Sequence, residues 1–351
     1  MPNFRPVLGR RPALGFLLAL PLIRAARGAG AQTPGGKLFP EGTSLLTAGP
    51  EAGELESWSK LLAPHLRRAL PADTELRLAQ AGGVDGVTGA NQFHTSTQPD
   101  GFSTLLVPGS AALACLIGDP RVHFEAGRWI GLLSAHSPAV LISRIDPRGF
   151  RRGQAVKLAI DSPNGSNLAA RLGLELMGLT PVPGGGPAGE AAAMAAFAQR
   201  AADLLLLRGG SMAEQIAAAQ AAGGQPIATL GRQDGGVMTR DPAQPGLPHL
   251  MELAGQIGLP LAGGPILEAW RAVAAAAQLS FALVLPPLTT ASMIALWRRV
   301  AEQVVAVPEI QAAALIEGVR LRAGPDGLAS VSAGPDAIRE LRAWLASRTA
   351  K

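Results

Sequence analysis

Gly83, Gly86 and Gly89 recur at every third residue in the stretch 79–107, which reads AQAGGVDGVTGANQFHTSTQPDGFSTLLV. They stand just before a helix-length segment, where glycine lets the backbone approach a partner while the first helical amides point outward. Those amides have no acceptor inside the helix, and the helix dipole favours negative charge beside them. The chemistry this spacing suits is capture of a small anion, a carboxylate above all, with Gly86, Val87 and Thr88 as the contacts. The alternative is a tight turn that binds nothing.

Other residues could do chemistry as well. Glu51, Glu54 and Glu56 cluster ahead of a second helix. Carboxylates suit a helix N-terminus, but they also repel an anion and so could select a ligand bearing an amine or hydroxyl. As a general base with a histidine they would suggest a secreted enzyme, yet no nucleophile–base constellation accompanies them. Asn164, Gly165, Ser166 and Asn167 form a polar loop able to hydrogen-bond the far end of a ligand, although Asn167 equally suits a helix terminus. Arg208 follows an apolar run and could pair with a second carboxylate or stand in solvent. His65, His94, His123, His136 and His249 show no metal-ligand spacing, so no metal is expected. The sequence contains neither a Gly-x-Ser-x-Gly elbow nor a Gly-Lys-Ser/Thr phosphate loop, and no cofactor is expected. Cys115 is the only cysteine, which excludes an intramolecular disulfide; its apolar neighbours mark it as a small buried hydrophobe.

The elements that must position these residues read as alternating strands and helices. Strands are expected at 44–47, 76–79 and 104–107, with an amphipathic helix over 54–70 and another at 89–97. A second series begins with a strand at 140–143 and continues with strands at 156–160, 204–207 and 226–230. Its helices are expected at 167–177, 188–202 and 212–222. An apolar strand at 281–285 leads to helices at 289–305 and 335–347. This alternation predicts an α/β protein with a parallel sheet.

The first 31 residues stand apart. Arg5, Arg10 and Arg11 precede an apolar run at 13–23, and Ala29-Gly30-Ala31 offers a small-residue cleavage site. This reads as a secretory signal peptide, and Arg10-Arg11 leaves twin-arginine export open. Five of the 31 basic residues fall there, leaving 26 against 26 acidic ones in the remaining chain. That balance gives no basis for nucleic-acid binding. At 351 residues, with 48% hydrophobic and 16% charged content, the chain is a folded protein long enough for two domains.

The order of these motifs resembles the extracytoplasmic solute-binding proteins of tripartite tricarboxylate transporters, the Bug-type receptors. Members carry Asn-Arg-Pro-Gly-Ala-Gly-Gly-Asn-Ile-Gly-Ala, a helix, and then Pro-Asp-Gly-Tyr-Thr-Leu. Gly83-Val84-Asp85-Gly86-Val87-Thr88-Gly89-Ala90 and Pro99-Asp100-Gly101-Phe102-Ser103-Thr104-Leu105 are similar in content and separation. Glu51-Ala52-Gly53-Glu54-Leu55-Glu56 resembles the family's Pro-Gly-Gly-x-x-Asp loop. Here Ala52 replaces a glycine, Glu56 an aspartate and Val87 an asparagine, and Gly184-Gly185-Gly186 stands for Tyr-Lys-Gly.

The resemblance implies a two-domain periplasmic-binding-protein architecture of the Venus-flytrap, type II-like kind, with a ligand cleft between lobes. It divides the chain into 38–139 plus 286–351 and 140–285. It implies that Gly49, Pro50, Glu51, Ala52 and Gly53 face one carboxylate and that Ser110, at a strand end, lines the cleft. It further implies a monomer that hands a small organic acid to membrane transporter subunits. A sensor component, or a degenerate receptor acting only through protein contacts, remains the alternative.

Overall fold

The computed structural model describes residue 39 and residues 42–349, apart from 73, 161–164, 166, 186–188, 235 and 260. The expected signal segment, Asn164 and Ser166 therefore lie outside the described residues. The chain begins with β1 (Thr43–Thr47), α1 (Glu54–Ala69), β2 (Leu76–Gln80), α2 (Val87–Ser96) and β3 (Ser103–Pro108). α1 forms because Leu55, Trp58, Leu62 and Leu66 recur at three- and four-residue intervals and bury one face. Next come α3 (Gly109–Ile117), β4 (Ile130–His136) and β5 (Ala139–Ser143).

A second series follows: β6 (Ala155–Leu158), α4 (Leu168–Leu176), β7 (Thr180–Pro183), α5 (Glu190–Ala198), β8 (Leu204–Arg208), α6 (Met212–Ala221) and β9 (Gln225–Thr229). The hairpin of β10 (Arg232–Asp234) and β11 (Val237–Thr239) leads through α7 (Leu250–Gln256) to α8 (Pro265–Gln278) and β12 (Leu279–Leu285). The last elements are α9 (Ala291–Val305), α10 (Pro308–Ile316), β13 (Arg320–Ala323), α11 (Asp326–Ala329) and α12 (Pro335–Thr349).

The strands form two main sheets, ordered β13-β4-β12-β3-β1-β2 and β7-β6-β8-β5-β9. Both are mixed, which corrects the expectation of a parallel sheet. β1 is parallel to β2 and β3, but β12 returns antiparallel between β3 and β4. In the second sheet β6 is parallel to β7 and β8, whereas β5 runs against β8 and β9. β13 is also antiparallel, to β4, and the chain passes between the sheets at β5 and β12. β4 crosses to β5 through Ser137 and Pro138, and α8 feeds directly into β12. The Ser137 amide donates to the Gln278 carbonyl at 2.9 Å, which ties the two crossings together.

Period-two alternation sorts each strand between two cores. In β12, Phe281, Leu283 and Leu285 face one core with α1 and α9, while Ala282 and Val284 face another. In β5 and β8, Val140, Ile142, Leu205 and Leu207 face outward against α5 and α6; Leu141, Leu204 and Leu206 face the opposite way. That opposite face belongs to the same core as Ala282 and Val284, so one apolar core is shared by the two sheets. α8 lies in it, fully buried from Ala272 to Gln278, with Trp270 donating to the Ala169 carbonyl of α4 at 2.8 Å. All described residues accordingly fall within one compact unit.

Candidate functional site

Two strand ends open on the same space. β3 runs into Pro108, Gly109 and Ser110; β8 runs into Arg208, Gly209 and Gly210. Both trios line a cavity of about 880 Å³ that also reaches the crossing residues Ser137 and Leu279. Its apolar wall comes from Leu113 and Ile117 of α3, Ala276 and Ala277 of α8, and Leu345 of α12. α12 is held along this wall by its middle and its C-terminal half. Arg342 donates to the carbonyls of Cys115 at 3.0 Å and Leu116 at 3.3 Å, the last turn of α3. Trp344 donates to Glu175 of α4 at 2.9 Å, and Arg348 donates to the same carboxylate while stacking 4.4 Å above the Trp344 ring.

Of the residues singled out by sequence, the structure brings Ser110, Gly165 and Arg208 to this cavity. One Arg208 nitrogen donates to the Ala277 carbonyl at 3.1 Å. Gly49, Pro50, Glu51, Ala52 and Gly53 are not among its lining residues, although the adjacent Glu54 is. Glu56 is occupied locally: it accepts from the Ala52 amide and pairs with Lys60 at 2.8 Å. The hydrogen bond from Lys60, joined by that from Ala52, holds its carboxyl below the usual carboxylate range. The glutamate is thus a helix-start residue.

Gly86, Val87 and Thr88 also stand outside the lining. A Cβ at Gly86 would lie 2.5 Å from Pro108, and one at Gly89 would lie 2.9 Å from Ala48. The close approach signalled by the glycine spacing is therefore made by the chain's own β1 and β3 ends. Asn167 is buried and lines an adjoining hollow with Met194 and Leu207, which shares Arg208 and Gln215 with the cavity.

What the sequence reading missed is Asp85, with Arg121 and Asp119 beside it, all of which line the cavity. Asp85 Oδ1 accepts from the Val87 amide at 3.2 Å, and its Oδ2 accepts from Arg121 at 2.7 Å. Arg121 also donates to Asp119 at 2.6 Å, and this guanidinium holds the Asp119 carboxyl below its ordinary range. Ser110 Oγ donates to the Asp85 carbonyl at 2.9 Å. An aspartate next to a glycine at a helix start was a legible capping signal; its arginine, 36 residues on, carried none.

No family model matches the chain, and no curated protein sequence matches it. Solved structures do. A TctC solute-binding protein from Polaromonas, without ligand, superposes with a TM-score of 0.62 at 13% identity, over 87% of this chain and 98% of its own. The fold is that of a TctC solute-binding protein. MatC from Rhodopseudomonas palustris, with bound malate, gives a TM-score of 0.50 at 14% identity, over 88% of this chain and 99% of its own. The mixed α/β two-sheet architecture is the one these relatives in fold share.

Behind the crossing lies a second, smaller recess of about 60 Å³, bordered by His136, Ser137, Arg232, Gln278 and Arg322. Burial, with Arg322 and Arg232 nearby, pushes the His136 imidazole down to about 4. No cluster of metal-binding side chains occurs among the described residues.

Proposed function

We propose that this protein is an extracytoplasmic solute receptor that captures a small organic acid for a tripartite tricarboxylate-type membrane transporter. The observation that carries this reading is the open cavity at the carboxyl ends of β3 and β8, in a TctC-type fold. In α/β proteins ligands bind outside the carboxyl ends of strands, in a crevice where the topology switches. The bound malate of MatC supports an acid as the ligand class. The lobes would be 38–139 plus 286–351 and 140–285. A ligand touching Ser110 on one side and Arg208 or Gly209 on the other would favour the closed arrangement by its differential contacts.

The N-terminal pattern supports export to the periplasm, and no helix among the described residues is long and apolar enough to cross a membrane. The protein would act as a monomer and catalyse nothing. A degenerate receptor would have its cleft filled by side chains, and the open 880 Å³ cavity argues against that alternative.

Thermal unfolding against a panel of organic acids and amides tests the proposal. A ligand at a hundredfold its Kd adds about 2.7 kcal/mol of stability. A shift from one chemical class supports the receptor. A flat response across the panel, with no co-purified ligand by native mass spectrometry, would sink it.

A further inference from the structure

The cavity that the receptor reading assigns to the ligand is not a cationic one. Glu54, Asp85, Asp119 and Glu317 line it against Arg121, Arg208 and Arg342, four carboxylates to three guanidiniums. Two of the groups at its first-sheet end that would greet an anion are already engaged. The Val87 amide, at the start of α2, donates to Asp85, and Arg121 donates to both Asp85 and Asp119. The Asp85 carboxylate is in effect a built-in anion at that end. Arg342, on α12, is turned onto the carbonyls of Cys115 and Leu116. Between these groups Leu113, Ile117 and Leu345 add hydrocarbon to a lining that also carries Ser137, Gln215 and Ser280.

The geometry points to Asp85 as a specificity-determining residue: it occupies an anion position at the first-sheet end, so the cavity takes an acid with a single carboxylate. This rests on the cavity being the ligand site. A compact di- or tricarboxylate brings a second charge to a wall that already carries excess negative charge. Discrimination follows from the repulsive element as much as from the attractive one.

Matched acids of equal chain length isolate the effect: butyrate with succinate, and hexanoate with adipate. Isothermal titration at neutral pH and low salt gives each pair's affinity ratio for the purified protein and for Asp85→Asn and Arg121→Gln. Circular dichroism confirms that each variant is folded. The monoacid of at least one pair binds the unaltered protein about tenfold or more tighter than its diacid. Asp85→Asn shrinks that preference by about tenfold, because the amide removes the repulsion. Arg121→Gln leaves the Asp85 charge without its nearest cation and widens the preference. Diacids binding as tightly as monoacids, or a ratio unmoved by both variants, overturns the role of Asp85 while leaving the receptor standing. Absence of binding by every acid, the wider panel included, overturns the receptor reading and this inference with it.

Discussion

Gly109 offers a sharp test of the packing that shapes the cavity. It opens α3 directly after β3, and a Cβ placed there would lie 2.4 Å from the Ala276 carbonyl oxygen and 2.2 Å from that of Leu279. Both obstacles are backbone, at the junction of α8 and β12, and neither can rotate away. Ordinary van der Waals contact begins at 3.4 Å, so Gly109→Ala requires a displacement of 3.4 − 2.2, or about 1.2 Å, between α3 and that junction. Overpacking of this kind costs about 1–3 kcal/mol, and rigid backbone neighbours place this case at the upper end. At roughly 2–4 °C per kcal/mol, the melting temperature falls by about 6–12 °C. Gly255 is the control. It sits within α7, where an added methyl group would meet no atom within 4 Å, and Gly255→Ala gains about 0.5–1 kcal/mol of helix propensity. Differential scanning calorimetry of both variants checks the pair. A melting temperature for Gly109→Ala within a degree of the unaltered protein would refute the α3–α8 contact as described.

The His136 imidazole, ordinarily titrating near 6.5, is pushed down to about 4 in the fold, so the unfolded chain binds its proton first as pH falls. Its contribution is intact above about pH 6.5 and is lost progressively toward pH 4, amounting to about 3 kcal/mol. Denaturation midpoints across that range should fall with pH, and His136→Gln should flatten the slope; parallel slopes would count against it. Glu175→Gln removes the charge that Arg348 and Trp344 share on α4, with an expected loss of about 1–2 kcal/mol in urea unfolding. An unchanged midpoint would show that α12 does not depend on that carboxylate. Expression of the full chain in a bacterium should yield a periplasmic protein whose first residue is Gln32 by mass spectrometry; an uncleaved, membrane-retained chain would contradict the signal-peptide reading.

The first half of the fold was legible because its signals are local. Leu55, Trp58, Leu62 and Leu66 announce α1 by spacing alone, and Pro99-Asp100-Gly101 marks the turn before β3. α3 and α8 were not read: GSAALACLI is apolar all round, so no periodic face separates helix from strand, and the alanine run that ends α8 offers small side chains in place of a marked apolar stripe. The place of β12 between β3 and β4 was hidden for another reason, since Leu283 pairs with Leu106 and Leu133 across long stretches of chain. At the site, the glycine spacing correctly signalled close approach, but Ala48 and Pro108 are what approach. Ser110, Gly165 and Arg208, singled out at strand and loop ends, stand at the cavity; Asp85 needed its contact with Arg121 to reveal its place.

The buried flank of α8 is made largely of alanine: Ala269, Ala272 and the run from Ala274 to Ala277. A methyl group has no rotamer to reset and no side-chain entropy to lose. Where helices bearing long side chains interlock, turning one against another means unseating each knob from its hole. A surface of methyls has shallow relief, so α3 and α12 can lie close against α8, and Trp270 is left as its large knob, fixed to α4 by its indole N–H. The small side chains act as a thin gasket that lets backbone meet backbone at the heart of the shared core.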